Sequence, residues 1–464
     1  MTRPPTPNSR RVDRSVQTDA QAEPARPDDG TASGAFRLVV LHTNDLHGEI
    51  DALARVATLV ERIRAESDCP VVYVDAGDVE ETTTWISNVT SGAAMHRLLS
   101  AAGCAAAAVG NASWLRYGPA VLASHGKEAS YPLLLANVRA LDGSPFEGTQ
   151  ESALLDVDGL RLGLVGVTAP YLHFGIESYG ASWVEEAPLV RRHAAELRER
   201  GADYVLLLSH LGLVDDRRLA PEVADAVDAI LGAHSHDTLP EGERVGGLLV
   251  TQAGDRGRYL GRLELGPDGA REELLPVGEQ VPLHPAVLAA VETIEPEVEE
   301  LLGEVLGELP EPVDPETGAR WFGDLLLERL DADVAIVFPG QAFTEGLPAG
   351  LITRGDLWRA CDSSANPGVV TMSGPQLAAV VARGRDPEFA ASSGGPFRGR
   401  PRGVLQVRGL EEVDLQRDYR VAGTDGELEG YGELVPAEWG LRPEYEFPTI
   451  VRDVFEEHFA RSRV

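Results

Sequence analysis

The run Leu38-Val39-Val40-Leu41 gives way within two residues to Asn44-Asp45-Leu46-His47-Gly48. An unbroken apolar run of this kind suits a strand buried on both faces. Side chains at i and i+2 of an extended segment point the same way, so Asp45 and His47 are placed to grip one object together. Carboxylate plus imidazole is a donor pair for a divalent metal. The manoeuvre then recurs. Val71–Val74 ends in Asp75-Ala76-Gly77-Asp78, Ala105–Val109 ends in Gly110-Asn111, and Tyr204–Leu208 ends in Ser209-His210. Val227–Leu231 ends in Gly232-Ala233-His234-Ser235-His236. Each polar ending alone reads as a cap or turn. Repeated at the ends of strands that alternate with helices (Leu53–Glu66, Met95–Ala102, Ala187–Arg200), they describe an α/β fold whose loops converge on one crevice.

Leu133–Val138 and Leu160–Val167 read as further strands, and Pro285–Leu309 as a Glu-rich connecting helix. The expected organisation is a tail over 1–35, a first domain over 36–280, the connector over 281–309 and a second domain over 310–464. In the last, strands are expected at Val334–Phe338, Val369–Met372 and Val404–Val407, with a helix at Gly374–Val381.

Bulk properties exclude several classes of partner. A formal net charge of −33 repels nucleic-acid backbones and anionic lipid. No apolar run is long enough to span a bilayer. Three scattered cysteines supply neither a disulfide framework nor a thiolate zinc site. The tail is rich in Pro, Arg, Asp, Thr and Ala and has no apolar signal region, which with the cysteines leads to the expectation of a cytoplasmic protein. The oligomeric state is not written in the sequence.

Asp45, His47, Asp78, Asn111, His210, His234 and His236 make a mixed oxygen and nitrogen set suited to two divalent ions. Their order, with Leu41-His42-Thr43-Asn44-Asp45-Leu46-His47-Gly48, Asp75-Ala76-Gly77-Asp78, Ala136-Asn137-Val138 and Gly232-Ala233-His234-Ser235-His236, resembles the calcineurin-like metallophosphoesterases. The resemblance is to their 5'-nucleotidase, UDP-sugar hydrolase and cyclic-phosphodiesterase branch. Leu347–Leu357 is similar to a segment of that branch's C-terminal domain. The resemblance implies a four-layer αββα sandwich followed by a smaller α/β domain that faces the substrate. It implies one ion on Asp45, His47, Asp78 and His236, and another on Asp78, Asn111, His210 and His234. Asp78, Asn111 and His210 then stand at the reacting centre, and the ions are Mn, Zn, Fe or Co.

The chain departs from that pattern in three places. Ala112 stands where the family carries a His that helps the leaving oxygen depart, and Leu115 where that His has its Asp partner. His96, His125 and His173 are the candidates to replace it. Phe338-Pro339-Gly340-Gln341-Ala342-Phe343 lacks the family's phosphate-binding Arg, and Gly426 stands near the position of its base-stacking aromatic. An Arg-rich loop that includes Arg398, Arg400 and Arg402 is a candidate phosphate receiver in their stead. The expected activity is hydrolysis of a phosphoester or phosphoanhydride in a small phosphorylated metabolite, nucleotide-like but not an ordinary nucleoside monophosphate. Two other outcomes fit the departures: a relative that binds such a ligand without turnover, or a hydrolase repurposed in a specialised pathway.

Overall fold

The computed structural model describes residues 37–81, 84–112, 114–169, 176–393, 400–429 and 433–462. Two sheets stack face to face in the N-terminal domain. In the first, the order is Gly269–Pro276, Tyr259–Gly266, Leu38–Thr43, Val71–Asp75, Ala107–Ala108, Leu133–Leu134 and Thr149–Gln150. In the second it is Glu243–Val245, Leu248–Thr251, Ala229–Gly232, Tyr204–His210, Leu160–Thr168 and Ser152–Val157.

Alternation along each strand builds the layers. Leu38 and Val40 join Val72, Val74, Leu164, Leu206, Leu208 and Leu231 in the core between the sheets. Val39, Leu41 and Tyr73 face the other way, onto Leu53, Val56 and Val60 of helix Ile50–Glu66 and onto Met95 and Leu98 of helix Ala93–Ala101. On the second sheet, Val165, Val205 and Leu207 pack on helices Glu186–Glu199 and Leu213–Val223. The result is the expected αββα sandwich. Leu38–Thr43, Val71–Asp75 and Ala107–Ala108 are parallel neighbours, and so are Leu160–Thr168, Tyr204–His210 and Ala229–Gly232. Their C-terminal ends carry the polar residues.

Several expected elements differ, among them the strand at Val404–Val407, which runs instead over Gln406–Arg408. Leu133–Val138 is broken: Leu133–Leu134 joins the first sheet, while Val138–Ala140 pairs with Ala181–Trp183. The Ala105–Val109 run contributes only Ala107–Ala108. The connecting helix runs from Pro285 to Gly303, and Val305–Leu309 is instead a strand antiparallel to Gly350–Thr353. Val287, Ile294 and Val298 of that helix are buried in the first domain's helical layer.

The C-terminal domain is built on a five-stranded sheet ordered Gln406–Arg408, Val334–Val337, Asp418–Thr424, Pro367–Ser373 and Glu444–Tyr445. Helices Pro315–Arg329 and Val451–Ser462 cover one face, and Gly374–Gly384 covers the other. The domains meet where the Arg452 guanidinium lies 3.5 Å from the Trp358 ring centre and reaches Asn88 Oδ1 at 3.2 Å. Trp85 stacks on Trp358 beside it.

Candidate metal centre

All seven expected donors come together. Strand Leu38–Thr43 ends two residues before Asp45, and the chain turns at once. Asp45 and His47 have φ of 51° and 46°, so they share a target because of a left-handed turn and not because the segment stays extended. Asp78, His234 and His236 are also left-handed, with φ of 60°, 73° and 60°. Each such residue costs on the order of 1–2 kcal/mol, and that strain is concentrated where ligand atoms must converge.

Asp45 Oδ1 lies 3.2 Å from His236 Nε2, 3.7 Å from His47 Nε2 and 3.9 Å from His210 Nε2. It is fully buried and has no hydrogen-bond partner among the described residues. Its other oxygen accepts from the Asn44 amide at 2.6 Å and from the His234 backbone N–H at 2.9 Å. On the far side, His210 Nε2 is 3.2 Å from Asp78 Oδ2 and 3.1 Å from Asn111 Oδ1. His234 Nδ1 is 2.7 Å from the same Asn111 oxygen. His47 and His236 bring their Nε2 atoms within 3.1 Å of each other. Lone pairs so crowded, with one buried oxygen left bare, fit a pair of cations. Ligand atoms of Asp45, His47 and His236 lie within 4.8 Å of one another, as do those of Asp45, Asp78 and His210. Asp45 thus belongs to both acid–imidazole groups, whereas the sequence puts only Asp78 in the shared position.

Charge tells the same story. Burial works against the charged form of His210, yet Asp78 and Asp45 push its pKa up to about 10. A proton there supplies positive charge that the carboxylates demand. Asp45 is held below its usual value despite burial, chiefly by His236 and His210.

The supporting residues are less visible in the sequence. Asn44 accepts from Ala253 N and donates to Gly254 O, which fixes the amide that holds Asp45. The Ala76 carbonyl accepts from His210 Nδ1 at 2.9 Å and so leaves Nε2 facing the centre. Ala112 donates its N–H to Asp78 Oδ1 at 2.7 Å. Only the Thr-Asn-Asp and Asp-Ala-Gly-Asp words pointed at these supports.

The remaining candidates are placed differently. His96 and His125 direct their ring nitrogens to Glu80, Tyr131 and Ser91. His173, Arg398 and the side chain of Leu115 lie outside the described residues. Arg400 forms a two-pronged pair with Asp362 at 2.7 and 2.9 Å and also reaches Thr344 and Gly340. Arg402 is corrected from phosphate receiver to packing residue. It is 1% exposed, bonds Ser392 and Glu433, and lies 4.4 Å from the Phe389 ring centre. Gly426 packs on Gln341: a Cβ there would sit 2.6 Å from the Gln341 amide, leaving no room for an aromatic without rearrangement.

No family model matches the chain. It is 27% identical over 403 residues to the uncharacterized metallophosphoesterase YunD of Bacillus subtilis (strain 168), covering 82% of this chain and 85% of that one. Against snake venom 5'-nucleotidase of Naja atra the identity is 25% over 449 residues, with 82% of each covered. Against the apyrase of Aedes aegypti it is 25% over 474 residues, covering 88% and 81%. Among solved structures, the 5'-nucleotidase precursor of Thermus thermophilus superposes with a TM-score of 0.55 at 21% identity, over 92% of this chain and 97% of that. NAD nucleotidase of Haemophilus influenzae superposes with 0.58 at 15%, over 92% and 96%. In fold, donor set and sequence the chain is similar to calcineurin-like metallophosphoesterases, which are metal-dependent phosphohydrolases. Its two-domain architecture is similar to that of the solved 5'-nucleotidases, and 5'-nucleotidases are among its sequence relatives.

Proposed function

We propose that the chain is a binuclear hydrolase of small phosphorylated metabolites that favours phosphoanhydride or aryl phosphate bonds over alkyl esters. The observation that carries this is the convergence of seven donor side chains, among them Asp45 with an Oδ1 that has no hydrogen-bond partner among the described residues, beside an alanine at position 112. Asp45, His47, Asp78 and His236 would hold one ion, and Asp78, Asn111, His210 and His234 the other. Divalent ions at such a pair supply positive charge for phosphoryl oxygens and lower the pKa of bound water.

The protein's own groups set the geometry. Asn44, the Ala76 carbonyl and the Ala112 N–H orient Asp45, His210 and Asp78. A methyl group at 112 gives the departing oxygen no proton, and positioned acid–base groups contribute roughly 10²–10⁴-fold. Leaving groups that depart as stable anions lose least from that absence, and a relative named apyrase supports an anhydride substrate. Contact between Gly426 and Gln341 argues against stacking on a base, so an ordinary nucleoside monophosphate is a poor fit. Arg400, paired with Asp362 beside Cys361, whose carbonyl accepts from the boundary residue Arg452, is the remaining candidate to meet phosphate.

Phosphate release from an alkyl monoester, an aryl monoester and a nucleoside diphosphate tests the reading. The last two are expected to turn over at least about tenfold faster. Ala112→His with Leu115→Asp is expected to raise the alkyl rate selectively. Equal rates on all three would contradict the leaving-group argument, and bound metal without turnover on any would favour a binding protein.

A further inference from the structure

A second convergent cluster lies apart from the donors described above. Glu80, His96 and His125 are 6%, 3% and 1% exposed, and a ligand atom from each lies within 4.8 Å of the others. His96 Nε2 is 2.6 Å from Glu80 Oε1, and His125 Nδ1 is 3.4 Å from the same oxygen. The outward nitrogens are held: His125 Nε2 lies 2.7 Å from the Ser91 carbonyl, and His96 Nδ1 lies 2.9 Å from the Tyr131 hydroxyl.

The Ser91 contact decides the tautomer of His125. A carbonyl only accepts, so Nε2 carries the proton and Nδ1 of the neutral ring presents a lone pair. That lone pair faces a carboxylate oxygen, and Nδ1 has no hydrogen-bond partner among the described residues. Two acceptors opposed in a buried site are unfavourable unless something positive lies between them. An imidazole whose far N–H is tied to a backbone carbonyl is also the arrangement that metal-ligating histidines adopt.

We infer that Glu80 Oε1, His96 Nε2 and His125 Nδ1 form a separate buried site for one divalent cation of the zinc type. Two imidazoles and a carboxylate are a zinc donor set, and bonds of about 2.0–2.1 Å put tetrahedral donors roughly 3.3 Å apart. His125 and Glu80 already have that spacing, and a small swing of Glu80 opens the shorter pair to match. His96 then donates Nδ1–H to Tyr131, which needs only a rotated hydroxyl. The backbone is shaped around the cluster: Gly92 has φ +86°, and a Cβ there would sit 2.8 Å from Glu80 Cγ and 3.0 Å from His125 Nε2. Bound there, the cation ties the segment after Asp78 to helices Ala93–Ala101 and Val121–Glu128.

The test is zinc content per chain of the full-length protein after equilibration with zinc and removal of loose metal. His125→Ala is expected to hold one ion fewer than wild type. His234→Ala with His236→Ala is expected to lose ions from the other centre while keeping this one. Unchanged content in His125→Ala overturns the inference whatever the double variant shows. Should His125→Ala fail to fold, anomalous scattering at the zinc edge from wild-type crystals decides. A peak among the three donor atoms supports the site, and none overturns it.

Discussion

Gly110 shows how tightly single residues govern the metal centre. A Cβ at that position would lie 2.0 Å from Asp78 Oδ1 and 2.3 Å from the Asp78 backbone nitrogen. Neither atom can give way without moving a donor that also accepts from Ala112 and faces His210. Gly110→Ala is therefore expected to lower stability by about 1–3 kcal/mol and to weaken metal retention at the Asp78 side. Denaturant melts and metal analysis read the two effects separately, and a variant with wild-type metal content would contradict the packing argument. At this scale the sequence exposed the donors but not their conformation. Asp45 and His47 were legible as a pair, yet their left-handed backbone depends on where the strand stops. Of the second cluster, His96 and His125 were legible only as isolated residues and Glu80 not at all, since a separation of 16 positions, as between Glu80 and His96, leaves no local period to detect.

Among elements, long buried strands announced themselves because both faces demand apolar residues, as in Tyr204–His210. Ala107–Ala108 did not, because two paired residues carry no pattern, and Val305–Leu309 was hidden because its apolar spacing continues that of the preceding helix. Glu427 illustrates an element whose role emerges only in three dimensions. Its buried carboxylate accepts from the backbone of Phe338 and Thr424, joining the end of strand Val334–Val337 to the turn after Asp418–Thr424. Burial, opposed by those hydrogen bonds, raises its pKa to about 7. The folded protein then holds this proton more tightly than the unfolded chain does. Between pH 4.5 and 7 folding binds more protons, so this group's contribution to stability falls as pH rises and is level above that window. The full change is about 3 kcal/mol at most. The stability of Glu427→Gln relative to wild type is expected to improve from pH 4 to pH 8, measured by paired melts. A pH-independent difference would contradict the assignment.

For the whole molecule, the two-domain architecture places the second domain against the first through Arg452, which is 2% exposed. Within its own domain the guanidinium packs on Trp358 and donates to the Cys361 carbonyl, and across the boundary it donates to Asn88 Oδ1. This domain contact is thus a charged hydrogen bond held in place by a desolvated cation–ring pair. Arg452→Ala is expected to cost about 2–4 kcal/mol and to increase proteolysis between the domains; unchanged cleavage would show that other contacts hold them. No helix among the described residues is long and apolar enough to cross a membrane. The central claim is that seven side chains assemble a cation pair that hydrolyses phosphate bonds. Phosphate release by manganese- or zinc-loaded wild type and Asp78→Asn, across monoesters, diesters and anhydrides, tests it most directly. Turnover of at least one class by wild type is expected, with a loss of roughly 10³-fold or more in the variant. Equal turnover in the two proteins, or none by metal-loaded wild type on any phosphate, would contradict that claim.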